Sequence, residues 1–354
     1  MPNQPAKLES TLMRLWLRRG LAACLLWPLS LLFRAITAVR RTLYRTGLLA
    51  SSRLPVPVIV VGNIFVGGTG KTPFVIWLVE ALREAGFTPG VISRGHGAKA
   101  ERPHEVTATS RPDEVGDEPL LIAQRAHCPV MVGRDRAAAG LALLVAHPAV
   151  DVIISDDGLQ HYALQREIEI VLCDQRGNGN GWMLPAGPLR EPASRRRDFT
   201  VMNAAALPPS GLPPPADKIF QMQLVGDIAE RMPERTHRVP LAHLPAISHG
   251  APHRPATLAA AAGIGNPARF FSMLRAAGLR FAELPLPDHF DYKTSPFSNI
   301  EADIVLITEK DAVKCALFEL PENIRRLWVV PVTARIDAAL ARQIMEMLRE
   351  QRAA

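Results

Sequence analysis

Acidic residues are missing from the early part of this chain. Between Ser10 and Val79 there is no Asp or Glu, while the same stretch carries eight Arg and one Lys. A basic excess this local points to an anionic partner surface, either lipid headgroups or nucleic acid. Aromatics are scarce at 6%, which argues against a stacking platform for single-stranded nucleic acid. The four cysteines, Cys24, Cys128, Cys173 and Cys315, show no C-x-x-C spacing. That excludes a disulfide framework or a zinc site and suits a reduced, cytosolic protein. There is no internal repeat. What the chain does have is length and apolar content: 354 residues, 48% of them hydrophobic, suffice for two domains and a sizeable core.

The most telling stretch runs from Val58 to Pro73, VIVVGNIFVGGTGKTP. An apolar strand enters clustered glycines, then Lys71 and Thr72, then an amphipathic helix. Glycines let backbone N–H groups turn inward, a helix N-terminus attracts anions, and a lysine reaches the β/γ-phosphates. The cradle is read over Phe65, Val66, Gly67, Gly68, Thr69, Gly70, Lys71 and Thr72, with the Thr72 hydroxyl placed for Mg²⁺. The strict G-x-x-x-x-G-K-[ST] pattern puts a glycine where this chain has Phe65, and Gly67 and Gly68 supply the flexibility instead. The bland reading is a glycine-rich turn with an exposed lysine.

Upstream, Gly20–Phe33 is nearly all apolar, with Arg18 and Arg19 before it and Arg34 after it. Fourteen helical residues span about 21 Å, short of a hydrocarbon core of about 30 Å, and Pro28 interrupts them. A signal peptide lacks its cleavage site here, and a nucleotide site follows within about forty residues. A helix lying in the membrane interface is the preferred reading; a buried core helix and a true anchor stay open.

From Val58 onward apolar strands alternate with helices, which implies a mostly parallel sheet with helices on both faces, of the P-loop NTPase type. The expected organisation is a basic and apolar helical segment over 1–50, a nucleotide-binding core over 51–206, a proline-rich linker over 207–218, and a smaller α/β domain over 219–354.

Several constellations carry chemistry. VDVIISDDG, residues 150–158, is a strand ending in Asp156 and Asp157, where phosphate-cradle enzymes hold Mg²⁺; an Asp-Asp-Gly turn is the plain alternative. Asp117 and Glu118 open a helix, as an N-cap or a general base. His289 lies between two acids in PDHFD, residues 287–291. Gly263-Ile-Gly-Asn-Pro267 is a second glycine turn before a helix, a possible anion site. Thr308-Glu-Lys-Asp311 faintly resembles base-reading loops. Arg195-Arg-Arg197 reads as a solvated run beside the stiff LPAGPLREP loop, residues 184–192.

Taken together these segments resemble one family, the tetraacyldisaccharide 4'-kinases of lipid A biosynthesis. The resemblance rests on VGNI…GGTGKTP (61–73), SRGHG (93–97), VGDEP (115–119), DDGLQH (156–161), LPAGPLREP (184–192), GIGNP (263–267), DHF (288–290) and TEKDAVK (308–314). His96 departs from the family's usual Tyr. The resemblance implies ATP and Mg²⁺, a glycolipid acceptor, and the cytoplasmic face of the bacterial inner membrane with its anionic lipids. It implies Asp117 as the catalytic acidic residue, His289 as its partner, Lys71 at the phosphates, and Asp156 and Asp157 with Thr72 at the metal. With His289 beyond the linker, it implies a second domain closing over the first. No nucleic-acid role is expected, because the N-terminal arginines interleave with Leu and Trp. A soluble small-molecule kinase and a membrane-recruited nucleotide switch are the competing readings.

Overall fold

The computed structural model describes residues 12–95, 102–107, 109–204, 218–247, 256–288, 290, 292, 294–298, 300–315 and 324–353. The chain divides into two compact units: Met1–Gln223 with Ala334–Ala354, and Leu224–Thr333. The first unit contains α1 (Leu21–Arg45), β1 (Val58–Gly62), α2 (Lys71–Glu84), β2 (Pro89–Ser93), β3 (His104–Glu105), α3 (Pro112–Val115) and α4 (Asp117–Ala126). It continues with β4 (Val130–Val132), α5 (Arg136–Ala146), β5 (Val152–Asp156), β6 (Ile168–Asp174), β7 (Phe199–Asn203) and β8 (Ile219–Val225).

The larger sheet centres on β1, whose five residues are all buried. An apolar run buried on both faces is what a parallel sheet covered by helices requires. β1 pairs in parallel with β5 on one side and β6 on the other. Outward from these, β2 and β4 extend one edge in parallel and β7 and β8 the other, while β3 closes its edge antiparallel. Helix α2 buries Phe74, Val75, Leu78, Val79 and Leu82, a helical stripe, and α4 packs against it. The α5 N-terminus is capped by Asp135, whose carboxylate accepts from the Ala137 and Ala138 N–H groups at 2.9 and 3.1 Å.

The second unit holds β9 (Ile228–Arg231), β10 (Arg238–Pro240), β11 (Leu258–Ala262), α6 (Pro267–Ala276), β12 (Ala282–Pro285), β13 (Ile304–Thr308), α7 (Glu309–Cys315) and β14 (Leu327–Val330). Their sheet runs in the order β10-β9-β14-β13-β11-β12. Its core gathers Trp328, Phe270, Phe271 and Leu274 on one side and Tyr292, Phe297 and Val305 on the other.

The closing elements, β15 (Thr333–Ile336) and α8 (Ala338–Ala353), return to the first unit. This differs from the expected second domain over 219–354. β8 is taken up by β7, and β15 adds beside β8 at the sheet edge. Leu340, Ile344 and Leu348, spaced by four, are buried, and α8 packs on α2. The proline-rich stretch 207–215, His96 and His289 lie outside the described residues.

α1 corrects the length argument. It runs for 25 residues straight through Pro28, about 37 Å at about 1.5 Å per residue. Among the described residues it is the one helix long and apolar enough to cross a membrane. One stripe faces the protein: Ala23 and Ser30 are buried and Phe33 packs on the core beneath the larger sheet. Leu21, Leu25, Leu29, Leu32, Ile36 and Val39 are exposed.

Candidate active site

The carboxyl ends of β1, β2, β5, β6 and β7 share one edge of the larger sheet, the edge where open α/β sheets bind ligands. The turn after β1 spans residues 63–70. Gly67 and Gly70 have φ of 100° and 96°, a region that suits glycine, and Gly70 is the N-cap from which α2 starts. Asn63 is fully buried. Its amide donates to the Phe65 carbonyl and, at 2.9 Å, to the Gly67 carbonyl. Its Oδ1 accepts from Lys71 Nζ at 2.9 Å.

Phe65 does not line this turn with its side chain. The ring is buried in the core, and the backbone of residues 64–66 pairs with the LPAGPLREP loop. The Val66 N–H donates to the Pro188 carbonyl at 3.0 Å, and the Arg190 N–H to the Ile64 carbonyl at 2.8 Å. The Val66 N–H is therefore engaged within the protein. Thr69 is buried with its hydroxyl unpaired among the described residues. Lys71 and Thr72 open α2.

Asp156 and Asp157 end β5 in contrasting surroundings. Asp156 is buried and accepts from Ser93 Oγ at 3.3 Å, while among the described residues its Oδ1 and the Ser155 hydroxyl have no hydrogen-bond partner. Burial, then the charges of Glu118 and Asp157 opposed by Lys71 and Arg136, push its carboxyl up to about 7. Asp157 takes φ of 50° and stands 3.5 Å from Lys71 Nζ and 3.2 Å from Arg190 Nη1. Burial pushes its carboxyl up too, but Lys71 and Arg190 outweigh burial and hold it below the ordinary range. Arg136 braces the strand end, donating to the Asp156 carbonyl at 2.9 Å.

Asp117 opens α4 and is buried, its Oδ1 accepting from the Glu118 N–H at 3.0 Å. Because β2 and β4 run parallel and α4 connects into β4, the start of α4 lies at the carboxyl edge of the sheet, the same edge as Lys71. The structure thus gathers Lys71, Thr72, Asp117, Asp156 and Asp157.

Among the described residues no group of three or more His, Cys, Asp or Glu forms a metal cage. Mg²⁺ does not need one, since it keeps waters and substrate phosphates and takes one or two carboxylates. An unpaired Asp156 oxygen at a strand end, beside the first turn of α2, fits that use.

Other motifs resolve as structure. The Gly263 N–H donates to both Asp311 oxygens at 3.2 and 3.1 Å, and Thr308 Oγ1 donates to the same carboxylate at 2.6 Å. TEKD is a brace, and this N–H is not free for an anion. Arg195 and Arg197 are buried, not solvated: Arg195 pairs with Glu169 and Glu191, and Arg197 donates to Thr200 Oγ1 at 2.8 Å. Arg136 and Arg190 went unread in the sequence, because their partners lie at the end of β5; Asn63 went unread although its partners lie within its own turn and the start of α2.

The model for tetraacyldisaccharide-1-P 4'-kinase matches residues 22–349. The tetraacyldisaccharide 4'-kinase of Janthinobacterium sp. (strain Marseille) is 61% identical over 349 residues, covering 99% of each chain. That of Herminiimonas arsenicoxydans is 59% identical, covering 98% of this chain and 97% of the other. A crystal structure of LpxK from Aquifex aeolicus in complex with ATP aligns with a TM-score of 0.75 at 29% identity, over 93% of this chain and 100% of that one. With a match across nearly its whole length, the chain belongs to the tetraacyldisaccharide-1-P 4'-kinase family.

Proposed function

We infer that this chain transfers the γ-phosphoryl group of ATP to the 4'-hydroxyl of a tetraacylated glucosamine disaccharide 1-phosphate, a step in lipid A biosynthesis. The observation that supports the reading is the Lys71–Asp157 pair at the carboxyl edge of the larger sheet, with Asp156 beside it and Asp117 opening α4 at the same edge, in a chain of this family. A sugar hydroxyl is a weak nucleophile, and Asp117 accepts its proton as the new P–O bond forms. Lys71 and the backbone N–H groups of the turn stabilise charge building on the transferred phosphoryl oxygens. Thr72 and Asp156, with Asp157 beside them, would hold Mg²⁺, which when bound neutralises phosphate charge. His289 is a candidate partner of Asp117 on family resemblance, tested separately by His289→Ala.

The acceptor is a lipid, and α1 suits it. Its exposed leucines and flanking arginines support a helix lying in an anionic leaflet, at the cytoplasmic face where ATP is present. The test supplies labelled ATP and the tetraacylated disaccharide 1-phosphate in detergent micelles. Label passing into the organic phase supports the reading, and hydrolysis without lipid labelling sinks it. Asp117→Ala should cut turnover by about 10²–10⁴-fold, the usual worth of general-base help, with ATP binding retained.

A further inference from the structure

Two side chains grip the turn after β1 from strands far away in sequence. Arg176 follows β6, and its Nη2 donates to the Gly68 carbonyl at 3.0 Å. Asn203 ends β7, and its amide donates to the Thr69 carbonyl at 2.9 Å. The two anchors are neighbours, because Asp174 and Asn203 are in register across β6 and β7. Arg176 is itself fixed on two sides. Its guanidinium lies 4.3 Å from the centre of the Phe65 ring, and its Nε and Nη2 hold Asp174 at 3.0 and 2.7 Å. Phe65, the departure from the strict glycine pattern, is thus the platform on which this arginine rests.

In a trans peptide the C=O and the following N–H point in opposite directions. Tying the Gly68 and Thr69 carbonyls to β6 and β7 therefore turns the Thr69 and Gly70 N–H groups the other way. We propose that Arg176 and Asn203 are positioning residues for the phosphate cradle, aiming these two N–H groups at the nucleotide's β- and γ-phosphates before it binds. The proposal rests on the nucleotide reading above. Neither residue touches the nucleotide in this scheme; each acts through the backbone it holds, and an aimed donor costs no reorganisation on binding.

The test uses variants that keep net charge and the outline of the side chain, Arg176→Lys and Asn203→Leu, in the full chain. Lysine cannot grip Asp174 and the Gly68 carbonyl while stacking on Phe65, and leucine fills the asparagine site without donating. Equilibrium binding of ATP and of AMP is measured for each variant, with Lys71→Ala as control and melting temperature as a check on folding. We expect ATP affinity to fall roughly 10-fold in each variant, the scale for losing a positioned hydrogen bond. AMP, which lacks the β- and γ-phosphates, should change by less than about 3-fold. ATP affinity within about 3-fold of wild type in both variants overturns the proposal, as does equal weakening of ATP and AMP. If the unaltered protein binds no ATP, or Lys71→Ala binds it as well as wild type does, the nucleotide reading itself fails.

Discussion

Burial and the nearby Arg136 guanidinium push the His161 imidazole down to about 4, with Asp135 opposing and Arg166 and Arg40 adding to the shift. The folded protein therefore keeps this ring neutral where the unfolded chain would take up a proton near the ordinary value of 6.5. Its contribution to stability is present above pH of about 6.5 and is lost as pH falls toward 4. His161→Asn should flatten that part of the profile. The check is thermal denaturation from pH 7 to 4, with the wild type losing more melting temperature than the variant. The two aspartates at the end of β5 show the same rule acting on neighbours: desolvation weighs on both, and only Asp157 has cations close enough to overcome it. Sequence order gave their adjacency. It could not give the difference, because Arg190 reaches Asp157 from a loop over thirty residues on.

Among the elements, α1 carries a buried polar grip. Ser30 Oγ donates to the Met183 carbonyl at 2.7 Å and accepts from the Ala186 N–H at 2.9 Å, both buried. Ser30→Ala leaves a buried donor and acceptor unmatched, at a cost of about 1–3 kcal/mol, so a lowered melting temperature is expected in calorimetry. β1, the glycine turn and α2 were legible in the sequence because local pattern alone specifies them: a β-branched run, then glycines, then a helical stripe. The length of α1 was not. Pro28 removes a single backbone hydrogen bond, and docking along a full stripe outweighs that loss. β7, β8 and the antiparallel β9 and β10 also escaped reading. They are short or only half apolar, and their place is set by partners across the sheet.

For the molecule as a whole, the basic N-terminal region and the nucleotide core form one compact unit, not two domains. The exposed leucines of α1 can therefore be changed without disturbing the packed stripe. Replacing Leu25 and Leu32, both exposed, by Glu should release the protein from anionic vesicles in a flotation assay while leaving its melting temperature unchanged. Vesicle binding that survives both changes would remove α1 as the anchor. The loop that grips Ser30 is also the loop whose Pro188 and Arg190 pair with residues 64–66 of the phosphate turn. Helix and cradle share one strap. Loosening α1 from its seat should therefore be felt at the cradle: Ser30→Ala is expected to weaken ATP binding in an equilibrium titration, although Ser30 lies on a helix remote in sequence from the glycine turn.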